Sequence, residues 1–254
     1  MVTYKFVRIF LSICCAFCIS QLPAFPSIIT ITGPCIFPSA GGGSIAFKGV
    51  VEGSISTVSI TWDLTGTLNL AAGDFVYIGV GATVDATAVT VGGQSATKIS
   101  VNTAEGYSVA HWYLANASAD SAATVTITAN GGNYAVGAAA NYSGVATSSV
   151  LDQSACNVSG CNAQTDSATT HTSQNVTTTQ ANELLCYWDV SWDNKTSMTA
   201  GTNWTKRTAA GTKAWVLLDR IVSSTGTYPS ATVVTVDDTA DDGYYSMIAT
   251  FKGL

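Results

Sequence analysis

The sequence predicts an all-β protein, a two-sheet antiparallel β-sandwich of jelly-roll-like type, and three observations carry that expectation. Only 10% of the 254 residues are charged while 47% are apolar, and the uncharged polar remainder is mostly Ser, Thr, Gly and Asn. Exposed helices would carry more Glu, Lys and Arg than this chain holds. From Ile45 onward, segments rich in β-branched and aromatic residues recur every eight to fifteen residues. Between them lie clusters of Gly, Asn, Asp and Ser, the residues that turns require.

The first twenty residues, MVTYKFVRIFLSICCAFCIS, place Lys5 and Arg8 ahead of an apolar run from Ile9 to Ile19. That is the pattern of a secretion signal, and the run is too short to span a bilayer. Cleavage after Ser20 leaves small residues, Cys18 and Ser20, at the −3 and −1 positions; Ala24 is the second choice, and an upstream start codon before a protein beginning near Gly41 is the alternative. Residues 21–44, with Pro23, Pro26, Pro34, Pro38 and three consecutive glycines, read as an extended linker. Residues 45–254 read as a single domain with no internal boundary, and no membrane span is expected in the mature chain.

Within that domain TVSITWDL alternates Val58, Ile60, Trp62 and Leu64 with Ser59, Thr61 and Asp63. AGDFVYIGVGA follows a turn at Gly73-Asp74, and ATAVTV and ATKISV flank Gly92-Gly93 as a hairpin. The stretch from Gly106 to Val145 reads as a meander of three consecutive strands, whose middle member sets Val125, Ile127 and Ala129 against Thr124, Thr126 and Thr128. Residues 146–171 lack periodicity and read as a long crossing loop. Strand signals resume in SQNVTTTQ, ANELLCYWDVSW, KAWVLLDRIV, SATVVTV and YYSMIATFKG, giving eleven to thirteen strands in all.

The succession GDFVYIGVGA, VTVGGQSATKI, HWYLANAS, TVTITA, AANYSGV, ANELL and SMIATFKG resembles a loose group of all-β domains found in secreted bacterial surface proteins and in structural proteins of tailed phages. The resemblance spans roughly residues 45–253 and rests on strand-and-turn patterns. It implies a fold and a setting, cell surface or virion, and transfers no functional residue.

Net charge is −6, and removing residues 1–20, which hold two bases and no acid, takes it to −8. With no cluster of Lys and Arg to offset this, DNA, RNA and anionic membranes are excluded as expected partners. Loss of the leader also removes Cys14, Cys15 and Cys18, leaving Cys35, Cys156, Cys161 and Cys186. Four cysteines allow three connectivities; in an exported chain CNVSGC favours a local Cys156–Cys161 disulfide, with Cys186 either a buried thiol or bonded to Cys35.

Catalytic patterns are sparse. No G-x-S-x-G elbow occurs, and neither His111 nor His171 has an acid and a nucleophile beside it in sequence. Zinc at CNVSGC would need two further ligands. A glycosidase needs two carboxylates across a cleft, but Glu52, Glu105 and Glu183 are scattered, and Asp189 and Asp193, four strand residues apart, would stand about 13 Å from each other. The acidic run Asp237, Asp238, Asp241 and Asp242 reads as a solvated turn, with calcium the one metal whose ligand chemistry it matches. Of six tryptophans, Trp62 and Trp188 share the apolar parity of their strands and belong to the core. Trp192 and Trp204 bracket a polar loop with Asp193, Asn194 and Asn203, with Lys206 and Arg207 adjoining as donors. Two flat rings and nearby amides are what a glycan needs, the alternative being two rings that cap the core.

The function expected from these features is a non-enzymatic extracytoplasmic module, surface-structural or adhesive, with a glycan, cell-surface or virion protein as partner. A virion structural protein and a secreted carbohydrate-active enzyme are the alternatives, and oligomerisation is compatible with each.

Overall fold

The computed structural model describes residues 43–56, 61–104, 106–132, 134–156, 170–191, 197–209, 214–229, 233–236 and 243–254, all within one unit, Ser39–Leu254. The leader and all but the last two residues of the expected linker lie outside the described residues. Every regular element among the described residues is a strand, as the composition predicts, and the pairings are antiparallel. Among the described residues the strands number twenty-one, several only two residues long, against the eleven to thirteen expected.

The first eleven are β1 (Ala46–Ile55), β2 (Thr61–Asp63), β3 (Leu68–Leu70), β4 (Phe75–Ala82), β5 (Ala86–Val91), β6 (Gln94–Ser95), β7 (Thr97–Ala104), β8 (Tyr107–Leu114), β9 (Asp120–Ala123), β10 (Val125–Ala129) and β11 (Ala135–Ser143). The next ten are β12 (Leu151–Cys156), β13 (Thr170–His171), β14 (Val176–Thr177), β15 (Glu183–Ser191), β16 (Ser197–Ala200), β17 (Thr205–Lys206), β18 (Trp215–Val222), β19 (Thr227–Tyr228), β20 (Val233–Val236) and β21 (Tyr244–Lys252).

The sandwich is present twice. One five-stranded sheet has the order β1-β11-β4-β8-β7 and the other β12-β21-β15-β18-β17. These become the same sheet when β1, β4, β7, β8 and β11 are matched to β12, β15, β17, β18 and β21. The same matching carries β2-β10-β5 onto β13-β20-β16, and β3-β9 onto β14-β19. Local irregularities repeat as well. A bulge at Lys48, opposite Tyr142 and Asn141, recurs at Asp152, opposite Phe251 and Thr250. Gly73 and Asn182, 109 residues apart, both adopt left-handed φ, at 87° and 59°, just before the central strand. The next residue in each half is a buried acid that accepts an N–H three residues back: Asp74 from Ala71 (2.8 Å) and Glu183 from Gln180 (3.2 Å). In the first half Lys48 and the Asn141 amide complete the carboxylate's partners; in the second, Thr250 and Asp152 face it. A domain expected at 45–254 is therefore one unit made of two topologically equivalent halves.

The core has three layers of side chains. In the first half, Val76, Ile78 and Val80 of β4 meet Val89 and Val91 of β5 and Val125 and Ile127 of β10. In the second, Leu185 and Tyr187 of β15 and Val216 and Leu218 of β18 meet Val176, Met198 and Trp204. Between the halves, the other faces of the two five-stranded sheets press together, with Phe75, Tyr77, Ala138 and Tyr142 against Trp188, Leu217, Met247 and Phe251. Here β4 faces β15, β11 faces β18 and β8 faces β21, so exchanging the halves reproduces the contact set. The inner strands of the two five-stranded sheets are thus covered on both sides, and β4 and β15 are buried at every residue.

The meander expected from Gly106 to Val145 is not formed. Its three strands exist, but β8 and β11 flank β4 while β10 crosses to the other sheet and pairs with β2 and β5. The parity of β10 is as read, with Val125, Ile127 and Ala129 buried and Thr126 and Thr128 partly open. The Gly92-Gly93 hairpin forms with both glycines at positive φ, which a tight two-residue turn requires, yet its return strand pairs for only two residues. The chain then leaves for the neighbouring sheet as β7 and pairs with β8.

Candidate functional site

Both histidines of the chain are interior. His111, on β8, sits between the Tyr77 hydroxyl at Nδ1 (3.2 Å) and the Ser100 hydroxyl at Nε2 (2.8 Å). Those partners satisfy a neutral ring, and burial pushes its pKa down to about 3. His171, on the short strand β13, reaches Asp189 of β15 through Nδ1 at 2.8 Å and lies flat on Tyr244, with ring centroids 4.0 Å apart. Tyr187 donates to the other Asp189 oxygen (3.2 Å). An Asp–His pair thus exists that no sequence adjacency announces, but His171 is 1% exposed and Asp189 0%. It serves as an internal tie between the two sheets of the second half.

A third polar node joins the halves. Asp219, on β18, accepts the Tyr142 hydroxyl (2.8 Å) from the first half and Arg207 Nε (2.7 Å) from its own, both at Oδ2. The Arg207 guanidinium lies over the Phe47 ring at 4.0 Å, a second contact across the halves. Cys186 is a free thiol enclosed beside this node. Burial raises its pKa well above the ordinary value and the Asp219 carboxylate raises it further, so the nucleophilic thiolate is disfavoured.

Arg207 also opens outward. It borders one open basin of about 490 Å³ with Asn203, Thr205, Asp219, Arg220 and Ile221, and a second of about 600 Å³ with Glu52, Ser54, Thr65 and Trp215.

Of the residues that sequence reasoning singled out, Asn203 lies at this basin, exposed, with φ of 69°. Trp204 does not offer a stacking face: it is 8% exposed and packs on Tyr187 with centroids 6.1 Å apart, in the core of the second half. Its place directly before β17 turns the ring inward, the cap that was the alternative expectation. Trp192, Asp193 and Asn194 lie outside the described residues, as do Cys161 and Asp237, Asp238, Asp241 and Asp242. Cys156 is buried and disulfide-bonded, its partner outside the described residues. Among the described residues no group of three or more His, Cys, Asp or Glu side chains is placed to hold a metal ion, and no helix is long and apolar enough to cross a membrane. Lys206, read as an accessory donor, reaches the Met198 carbonyl instead (2.8 Å). What sequence reasoning missed is the company Arg207 keeps. Arg220 and Asp219 reach the same basin because β17 pairs with β18 in a register that sets Thr205 opposite Asp219.

No protein-family model matches the chain, and no curated protein matches it significantly.

Proposed function

We propose that the protein is a non-enzymatic, extracytoplasmic module whose role is surface-structural or adhesive. The observation that carries this reading is where its reactive groups lie. Among the described residues, both histidines, His111 and His171, the free thiol Cys186 and the paired carboxylates Asp189 and Asp219 are each at most 1% exposed and engaged in contacts within or between the halves. Chemistry on an external substrate needs such groups at a surface. Two sandwiches joined through a buried, aromatic-rich interface instead suit a body that presents its outer surface. The Cys156 disulfide fits an oxidising compartment, in keeping with the leader-like first twenty residues.

Fractionation of the native producer tests this directly. The expected result is recovery of the protein from the cell surface or medium with Cys156 oxidised. Recovery in sedimenting phage particles would replace the surface reading with the virion one. Recovery in the cytosol with Cys156 reduced would contradict both.

A further inference from the structure

The chain has three arginines, and two of them, Arg207 and Arg220, border the same basin. From their placement we infer that this basin binds the carboxylate of an acidic, uronate-type saccharide, an inference that rests on the adhesive reading and supplies its ligand.

Arg207 is held before any ligand arrives. Its Nε is fixed on Asp219 at 2.7 Å and one face of its guanidinium is covered by Phe47, with the side chain 21% exposed. Its outer nitrogens, Nη1 and Nη2, have no hydrogen-bond partner among the described residues. Two parallel N–H groups on a planar, pre-positioned fork match the two oxygens of a carboxylate, and holding the fork in place removes part of the entropy cost of binding. Arg220 lies over the Tyr228 ring at 5.0 Å and likewise has no hydrogen-bond partner among the described residues. Asp219 offsets one of the two positive charges, so the basin keeps a net charge of about +1 on a protein whose total is −6.

The rest of the lining selects a sugar over a bare anion. Asn203 and Thr205 are exposed beside the arginines and supply an amide and a hydroxyl for sugar hydroxyls. Ile221, 44% exposed and one of two large apolar side chains found so open among the described residues, gives an apolar wall for the C–H face of a pyranose. Inorganic phosphate would use the arginines and leave these three idle.

The test is calorimetric titration of the full chain with a galacturonate trimer, against the neutral galactose trimer and inorganic phosphate. The uronate is expected to bind at least about tenfold tighter than either control and to weaken as salt rises. Arg220→Gln, on the rim, should weaken it about tenfold with no change in Tm; Arg207→Lys, which keeps the charge and loses the fork, should weaken it as much while the protein remains folded, with a lower Tm from the lost Nε–Asp219 bond. Equal binding of the neutral trimer, phosphate binding as tight as uronate, or a folded Arg220→Gln protein that binds unchanged would each overturn the assignment. Because purified protein is used, these outcomes stand apart from the fractionation result: a surface protein that ignores uronate would sink the ligand and leave the surface reading intact.

Discussion

Gly79→Ala is expected to destabilise the protein by at least about 3 kcal/mol, the top of the usual range for overpacking. A Cβ at residue 79 would stand 2.1 Å from Cδ2 and 2.5 Å from Cε3 and Cγ of Trp188. The indole is wholly buried between the two five-stranded sheets and has nowhere to retreat. Residues 79 and 188 are equivalent positions in the two halves and meet at the centre of their interface, where two large side chains would collide and two small ones would leave a void. The same division recurs one step along the strands, where a Cβ on Gly81 would come within 3.0 Å of Val190. Trp188→Ala alone should cost about 3–5 kcal/mol through the cavity it leaves. The double variant should cost clearly less than the sum, by more than about 2 kcal/mol, as expected for side chains sharing one space. Chemical denaturation of the four proteins measures this, and strict additivity would show that the two residues do not share that space.

Acidification should remove on the order of 4 kcal/mol through His111 alone. Its folded pKa, about 3, lies below the ordinary 6.5, so folding favours the neutral ring. The contribution is fully present above pH 6.5 and is lost as the pH falls toward 3, because the unfolded chain takes up a proton that the native ring refuses. Glu183 acts in the opposite sense. Burial raises its carboxyl above the ordinary value, so its protonated form is favoured on folding, and its contribution is greatest below the unfolded value and fades as the pH rises through the folded one. The two are separated by comparing the parent with His111→Gln. The variant should be less stable at pH 7, yet its unfolding free energy should fall less steeply between pH 6.5 and 3, by up to one proton or about 1.4 kcal/mol per pH unit. Parallel pH profiles would mean that His111 is not held neutral.

The strand character of the chain was legible because β propensity and turn residues act locally. Parity correctly read β10, whose two faces meet different environments. It failed as a guide to layers for FVYIGVGA, AVGAAANYS, ELLCYWDVS and YYSMIATFK, in which nearly every residue is buried. Such unbroken runs mark strands covered on both faces, and a sheet covered on both faces requires more layers than one sandwich supplies. The equivalence of the two halves has little trace in residue identity. Aligning 135–145 with 244–254 matches only Ala140 with Ala249 and Gly144 with Gly253. At the centre of the interface the equivalent positions differ sharply in size, Gly79 in one half against Trp188 in the other.

The basin was half visible in the same way. Asn203 and Arg207 were singled out from the loop they share, whereas Arg220 and Asp219 join them only through the β17–β18 pairing. The tryptophan meant to anchor the site faced inward because the second half needed a ring over Tyr187. The His171–Asp189 pair was hidden for a related reason: its members lie on strands of different sheets.

The most direct test of two halves locked into one body is to cut the chain between them. Thr147, Ser148 and Ser149 are exposed, and this short link lies between Val145 and Val150, which are buried. A protease site introduced there should be cleavable in the folded protein. The nicked halves should then co-elute as one species and unfold in a single transition, held by the face-to-face sheets, by the Tyr142–Asp219 bond and by the backbone bond from Leu254 N to the Gly144 carbonyl (3.0 Å). Two fragments that separate under native conditions, each keeping its own strand spectrum and melting independently, would contradict it.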